Sequence, residues 1–191
     1  MKYYASSVCR VIAVAAAAVA GLSISSTADA ATSPTARAAT AVPACASGHD
    51  LSAWVAFNQG NGAAGTIYYP LQFTNTSGHT CFLFGYPGVS AISRTGQQLG
   101  SPAGWGSLSG AQKVILAPHA TAHTILAYHD AAVSTEAGCD PVNTTAELRI
   151  YPPGERLTTY AAFDLEACSH LGVMYMNIIE PIRAGVGTIN G

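Results

Sequence analysis

Apolar positions along this chain recur every second residue, and the 3.6-residue period of an amphipathic helix does not emerge. Leu51-Ser-Ala-Trp-Val-Ala-Phe57 alternates loosely, and Ile67, Tyr69, Leu71 and Phe73 mark one face of the next run. Further runs follow at 81–84, 89–93, 113–116, 121–128, 146–151, 157–163 and 173–179. Turn chemistry separates them, in Asn75-Thr-Ser-Gly78, Arg94-Thr-Gly-Gln97, Ala117-Pro-His-Ala120 and Pro152-Pro-Gly154. Short alternating runs at this spacing predict an all-β domain, an immunoglobulin-like antiparallel β-sandwich of about eight to nine strands. Pro70 has no N–H for a sheet ladder, which places its strand at an edge or on a bulge. The Gly/Ser-rich stretch 101–110 and the stretch 129–145 read as long loops, and the Ala-rich 161–168 is the place for a short helix.

The first thirty residues break this pattern. Lys2 and Arg10 precede the apolar run 11–22, and Ala28-Asp29-Ala30 supplies the small-x-small site that a signal peptidase reads. The run is shorter than the roughly 20 residues a membrane span needs. Residues 1–30 are therefore expected to be a signal peptide, 31–44 an Ala/Thr/Ser/Pro-rich linker, and 45–191 a single domain. The expected location is secreted or extracellular, with cell-envelope association open.

Beyond residue 30 the chain carries six Lys and Arg against nine Asp and Glu. One lysine and no basic cluster argue against a nucleic-acid partner, whose phosphates need several cations. No polybasic patch for an anionic membrane is present either. Cys9 leaves with the leader, so Cys45, Cys81, Cys139 and Cys168 remain. In an oxidising compartment pairing is their default, and four cysteines allow three connectivities. Cys45–Cys81 and Cys139–Cys168 are favoured because each closes a short loop between neighbouring elements. No pair has the C-x-x-C spacing of a zinc site.

Gly65 leading into a strand, Leu71-Gln-Phe-Thr-Asn75, Cys81, Gly85-Tyr-Pro-Gly88, Leu116-Ala-Pro118 and the later cysteine pair resemble the domain of unknown function 4232 family. The resemblance spans about residues 45–182. His119 departs from it, because many members have glycine after that proline. The resemblance implies an extracellular β-sandwich from an actinobacterial source. It brings no catalytic residue with it.

Gly60-Asn-Gly-Ala-Ala-Gly65 matches G-x-G-x-x-G, but strand residues follow it where the dinucleotide fingerprint needs a helix. It reads as a connection between strands, and no cofactor is expected. His119 and His123 are the nearest approach to a metal pair, yet an extended chain holds them about 13 Å apart. His123 and His129 share a face at a separation of about 20 Å. Met174 and Met176 with His170 suggest copper, although methionines on a terminal strand more often fill a face. No G-x-S-x-G occurs, because Gly106-Ser-Leu-Ser-Gly110 has leucine at its centre. Asn75-Thr-Ser77 and Asn143-Thr-Thr145 are formal glycosylation sequons.

Aromatic residues give the clearest functional lead, since Trp and Tyr make flat platforms for sugars or proteins. Trp54 reads as a sandwich-core tryptophan. Trp105, in a Gly/Ser-rich loop, is the candidate binding aromatic. The expected function is a secreted, non-catalytic module that binds an extracellular protein or glycan. One alternative is an exported hydrolase, which needs two carboxylates or a His–acid pair converging in a cleft. A second is extracytoplasmic copper or zinc binding.

Overall fold

The computed structural model describes residues 41–189 apart from 47, 108, 109, 136 and 144. The expected leader and most of the expected linker lie outside the described residues. Fifteen strands are present among the described residues: β1 (Leu51–Val55), β2 (Asn61–Ala63), β3 (Thr66–Asn75), β4 (Cys81–Leu83), β5 (Gly88–Ser93), β6 (Gln98–Leu99), β7 (Gly104–Trp105), β8 (Val114–Leu116), β9 (Thr121–His129), β10 (Pro141–Val142), β11 (Thr145–Tyr151), β12 (Thr159–Ala162), β13 (Ala167–Cys168), β14 (Met176–Ile178) and β15 (Arg183–Ala184). Each of the nine expected runs holds one strand. The six additional strands are pairings of two or three residues, too short to leave a periodic trace. The only helical turns among the described residues are two 3₁₀ segments, Phe57–Gln59 and Ala131–Val133.

The larger sheet runs β1-β3-β9-β14-β7, with β2 also on β3 and β15 also on β9. The smaller runs β12-β11-β5-β6, and the pairs β4-β8 and β10-β13 stand apart. The two main sheets form a sandwich-like arrangement around one apolar core. Alternation explains which side chains fill it. Leu71 and Phe73 of β3, Leu126 and Tyr128 of β9, and Leu148 and Ile150 of β11 are all buried at 2% exposure or less. Burying each such side chain contributes about 1.5–3 kcal/mol.

Two disulfides close the periphery, Cys45–Cys81 and Cys139–Cys168. The first lies where the entering chain runs parallel to β4, with the Cys45 N–H donating to the Phe82 carbonyl and the Phe82 N–H to that of Pro43. The second sits where Pro141 of β10 pairs with Cys168 of β13.

Three local expectations are corrected. Pro70 is not on an edge strand, because β3 lies between β1 and β9. Its carbonyl accepts from the Ala56 N–H, so its missing N–H faces the same side. There the ladder to β1 has ended at Val55 and that to β2 begins only at Asn61, and the 3₁₀ turn fills the gap. Trp54 is not in the core. Leu51, Ala53 and Val55 take the buried side of β1, which leaves Trp54 40% exposed. The stretch 161–168 forms no helix, since Ala161 pairs with Leu148 and Ala167 with Val142.

The end of the chain straps the outer face of the larger sheet. Arg183 of β15 pairs with His123 of β9, and the chain then crosses to Gln72. The fully buried Gln72 side chain donates to the Gly187 carbonyl at 3.0 Å and accepts from its N–H at 3.2 Å. His123 fills the space that a Cβ at Gly187 would need, so the strap takes glycine there.

Candidate functional site

The Gly85-Tyr-Pro-Gly88 stop and the Gly/Ser-rich stretch 101–110 come together to build a groove. Gly85 takes a positive φ of 102°, which redirects the chain as it leaves β4. This sends Tyr86 inward, where it is 6% exposed and its hydroxyl donates to the Ser107 carbonyl at 2.6 Å. Across from it, Gly104 and Trp105 pair in parallel with Asn177 and Ile178. A side chain at Gly104 would collide with the Asn177 amide and the Met174 sulfur. Trp105 is therefore delivered by a short strand, where the sequence implies only loop.

The Trp105 ring stacks on Tyr86 with centroids 6.2 Å apart and planes 20° from parallel. Its indole N–H donates to the Pro87 carbonyl at 2.9 Å. Even so, the residue is 61% exposed. Tyr86, Gly88, Trp105, Tyr151, Pro152 and Glu155 border a depression of about 290 Å³. That is close to the lower end of small-ligand sites, about 300 Å³. Tyr151 lies directly opposite Gly88 and packs over it.

A larger polar cavity of about 590 Å³ lies beside the β2–β3 hairpin, bordered by Asn61, Thr66, Tyr69 and Asp130. The glycines of the G-x-G-x-x-G stretch serve that hairpin. Gly62 lies against the Thr66 and Ile67 backbone, and Gly65 has a φ of 80°. An adjoining cavity of about 200 Å³ is bordered by His129, Asp130 and Met174. Their polar groups are already engaged. The Asp130 carboxylate accepts from the Ala132 N–H at the start of a 3₁₀ turn, and the His129 Nδ1 lies 2.8 Å from the Thr66 hydroxyl. Burial, followed by the Asp130 charge, raises the Tyr69 hydroxyl above its ordinary range.

The other candidates have separate surroundings. His119 sits in an exposed turn at a positive φ of 65°, and its N–H donates to the Asn75 carbonyl. His123 lies under the strap, with Nδ1 2.9 Å from the Gly185 carbonyl and Nε2 3.9 Å from Glu180. Among the described residues no three His, Cys, Asp or Glu side chains are placed to hold one metal ion. Met176 is fully buried, whereas Met174 is exposed and borders the same cavity as His129. His170 instead meets Asp140 at 2.8 Å on the surface. Asn75 is fully buried and its amide is used on both sides. It donates to the His79 and Leu116 carbonyls and accepts from the Ser77 N–H and hydroxyl. The first sequon is thus a turn device.

One residue escaped the sequence reading. Arg149 lies on the outer face of β11, directly between Tyr160 of β12 and Ser90 of β5. Strict alternation in Glu147-Leu-Arg-Ile-Tyr151 carried the signal, since it puts Arg149 and Tyr151 on one face.

These features define a class: a disulfide-closed all-β domain with two main sheets and an aromatic groove. The chain belongs to the family described as Domain of unknown function (DUF4232), whose model matches residues 45–176. No curated protein and no solved structure matches it. The two disulfides are consistent with an extracellular protein. The end of β14, β15 and the strap lie beyond the matched residues.

Proposed function

We propose that this protein is a secreted, non-catalytic binding module that holds an extracellular glycan or protein in the groove of Tyr86, Trp105 and Tyr151. The leader-like N-terminus and the disulfides support export. One observation carries the binding reading: Trp105 is 61% exposed and yet held in place by a stacked ring and a hydrogen bond. An exposed indole that is already ordered gives up little side-chain freedom when it meets a ligand. It presents a flat apolar face with polar rims, as sugars and interface anchors require. The hydrolase reading draws on His129 and Asp130 at one cavity, but their engagement with Thr66 and the 3₁₀ turn favours a structural role for both.

The test is affinity capture by the leader-free protein from its native envelope, together with titration against envelope polysaccharides. Trp105→Ala is expected to weaken the captured interaction by about 30-fold, in line with a central aromatic anchor worth about 2 kcal/mol. Unchanged capture by the variant would overturn the reading.

A further inference from the structure

Beside the aromatic groove stands a cation without an anion. Arg149 is half-buried on the outer face of the smaller sheet, with Tyr160 opposite on one side and Ser90 on the other. Its guanidinium gives one hydrogen bond, from Nη2 to the Gln98 amide oxygen at 2.8 Å. Its Nε is buried and has no partner. Among the described residues no carboxylate lies within ion-pair distance of it, although Glu147 is two residues away on the same face. A guanidinium has five donors in a fork that matches a carboxylate, and with Nε enclosed it is the terminal nitrogens that a ligand reaches. Gln98 is itself tied to the Gly100 carbonyl, so a neutral amide holds the fork in place without neutralising it.

The position relates this cation to the groove. Arg149 and Tyr151 are alternate residues of β11, roughly 7 Å apart along the strand. Tyr151 is also a wall of the groove that contains Trp105. Tyr160, Arg149 and Tyr151 thus share the outer face of the smaller sheet, where the guanidinium reaches across β5 to Gln98 and Tyr151 carries that face to the rim of the Trp105 groove. Tyr160 and Tyr151 are 47% and 38% exposed.

Resting on the binding function proposed above, we infer that the ligand is an acidic polysaccharide whose sugar ring lies on Trp105 and whose neighbouring carboxylate docks on Arg149. Charge complementarity selects the carboxylate. The unpaired guanidinium attracts one carboxylate against the opposing charges of Glu147 and Glu155, whereas a phosphodiester polymer calls for a cluster of Lys and Arg. A guanidinium takes a carboxylate bidentately. The size of the depression suits a sugar ring better than a protein face, which needs roughly 800 Å² per partner. Glu155, on the rim of the groove, is placed to accept from sugar hydroxyls.

The experiment is calorimetric titration of the leader-free protein with three probes: a polyuronate oligosaccharide, its carboxyl-reduced neutral counterpart, and a phosphodiester-linked polyol polymer. The polyuronate is expected to bind at least tenfold more tightly than the neutral chain, with a preference that shrinks as salt rises. Arg149→Gln abolishes the preference and leaves neutral-chain binding intact. Arg149→Lys keeps the charge without the fork and restores only part of it, and thermal melting checks that both variants fold. Equal, Trp105-dependent binding of the acidic and neutral chains would overturn the carboxylate site and leave the binding module standing. Arg149-dependent binding of the phosphodiester polymer alone would overturn the choice of carboxylate. No sugar binding, together with envelope capture indifferent to Trp105→Ala, would overturn both.

Discussion

Trp105 lies against Tyr86 with ring centroids 6.2 Å apart, and each ring is anchored by its own hydrogen bond to a main-chain carbonyl. The buried tyrosine serves as a footing for the exposed indole. The order of the groove therefore depends on the Tyr86 hydroxyl and its bond to the Ser107 carbonyl.

Tyr86→Phe tests that dependence. The variant removes the 2.6 Å bond to the Ser107 carbonyl while preserving the ring. Loss of one hydrogen bond of this kind costs about 1 kcal/mol. Tryptophan fluorescence anisotropy is expected to fall, and affinity for the captured partner is expected to drop several-fold with the fold intact.

Gln72→Leu is expected to release the strap. The change strips the buried Gly187 N–H and carbonyl of their partners, and such unmade groups cost about 1–3 kcal/mol. Urea unfolding should show that loss. Hydrogen exchange should show new exposure at the Gly187 amide and little change at β11.

The disulfides should contribute similarly. Their sequence separations of 36 and 29 residues give about 3.5–4 kcal/mol each on the chain-entropy model. Replacing either pair by alanines is expected to lower the melting temperature by roughly 10 °C, at about 2–4 °C per kcal/mol for a domain of this size.

Alkaline stability should reveal two core tyrosines. Tyr128 is pushed up to about 12, chiefly by burial. The N–H of Ala131 opposes the shift, and the Asp130 and Glu166 charges add to it. Tyr175 is also raised, by burial first and then by its neighbour Tyr128. In the unfolded chain both ionise near 10. The folded state binds these protons longer, so their contribution is complete below about pH 10 and is lost as pH rises toward 12. Denaturant midpoints should therefore hold steady up to pH 10 and fall beyond it. Tyr175→Phe, which gives up only a 3.4 Å bond to Leu99, should make the fall shallower.

Legibility followed the range of the interaction. The turn at Asn75 was visible because its hydrogen bonds to Ser77 and His79 are local. The alternation of β3, β9 and β11 was visible because both faces of each strand are written in consecutive residues. Of the two places open to Pro70, the edge was wrong, because the break that accommodates it belongs to the neighbouring segment, where β1 gives way to a 3₁₀ turn. Trp54 was misplaced because its size suggested core, whereas the register with β3 gave the inner side to Leu51, Ala53 and Val55.

By itself the amino-acid sequence determined an all-β domain with short strands, polar turns and an even set of cysteines from Cys45 onward. Those properties depend on period and composition, which a linear chain displays directly. Only the tertiary structure decided that Trp105 would pair with Ile178, more than seventy residues away, and stack on Tyr86. Only it left Arg149 beside an amide in place of an acid. Both outcomes come from which sheet edges meet, and no local pattern records that choice.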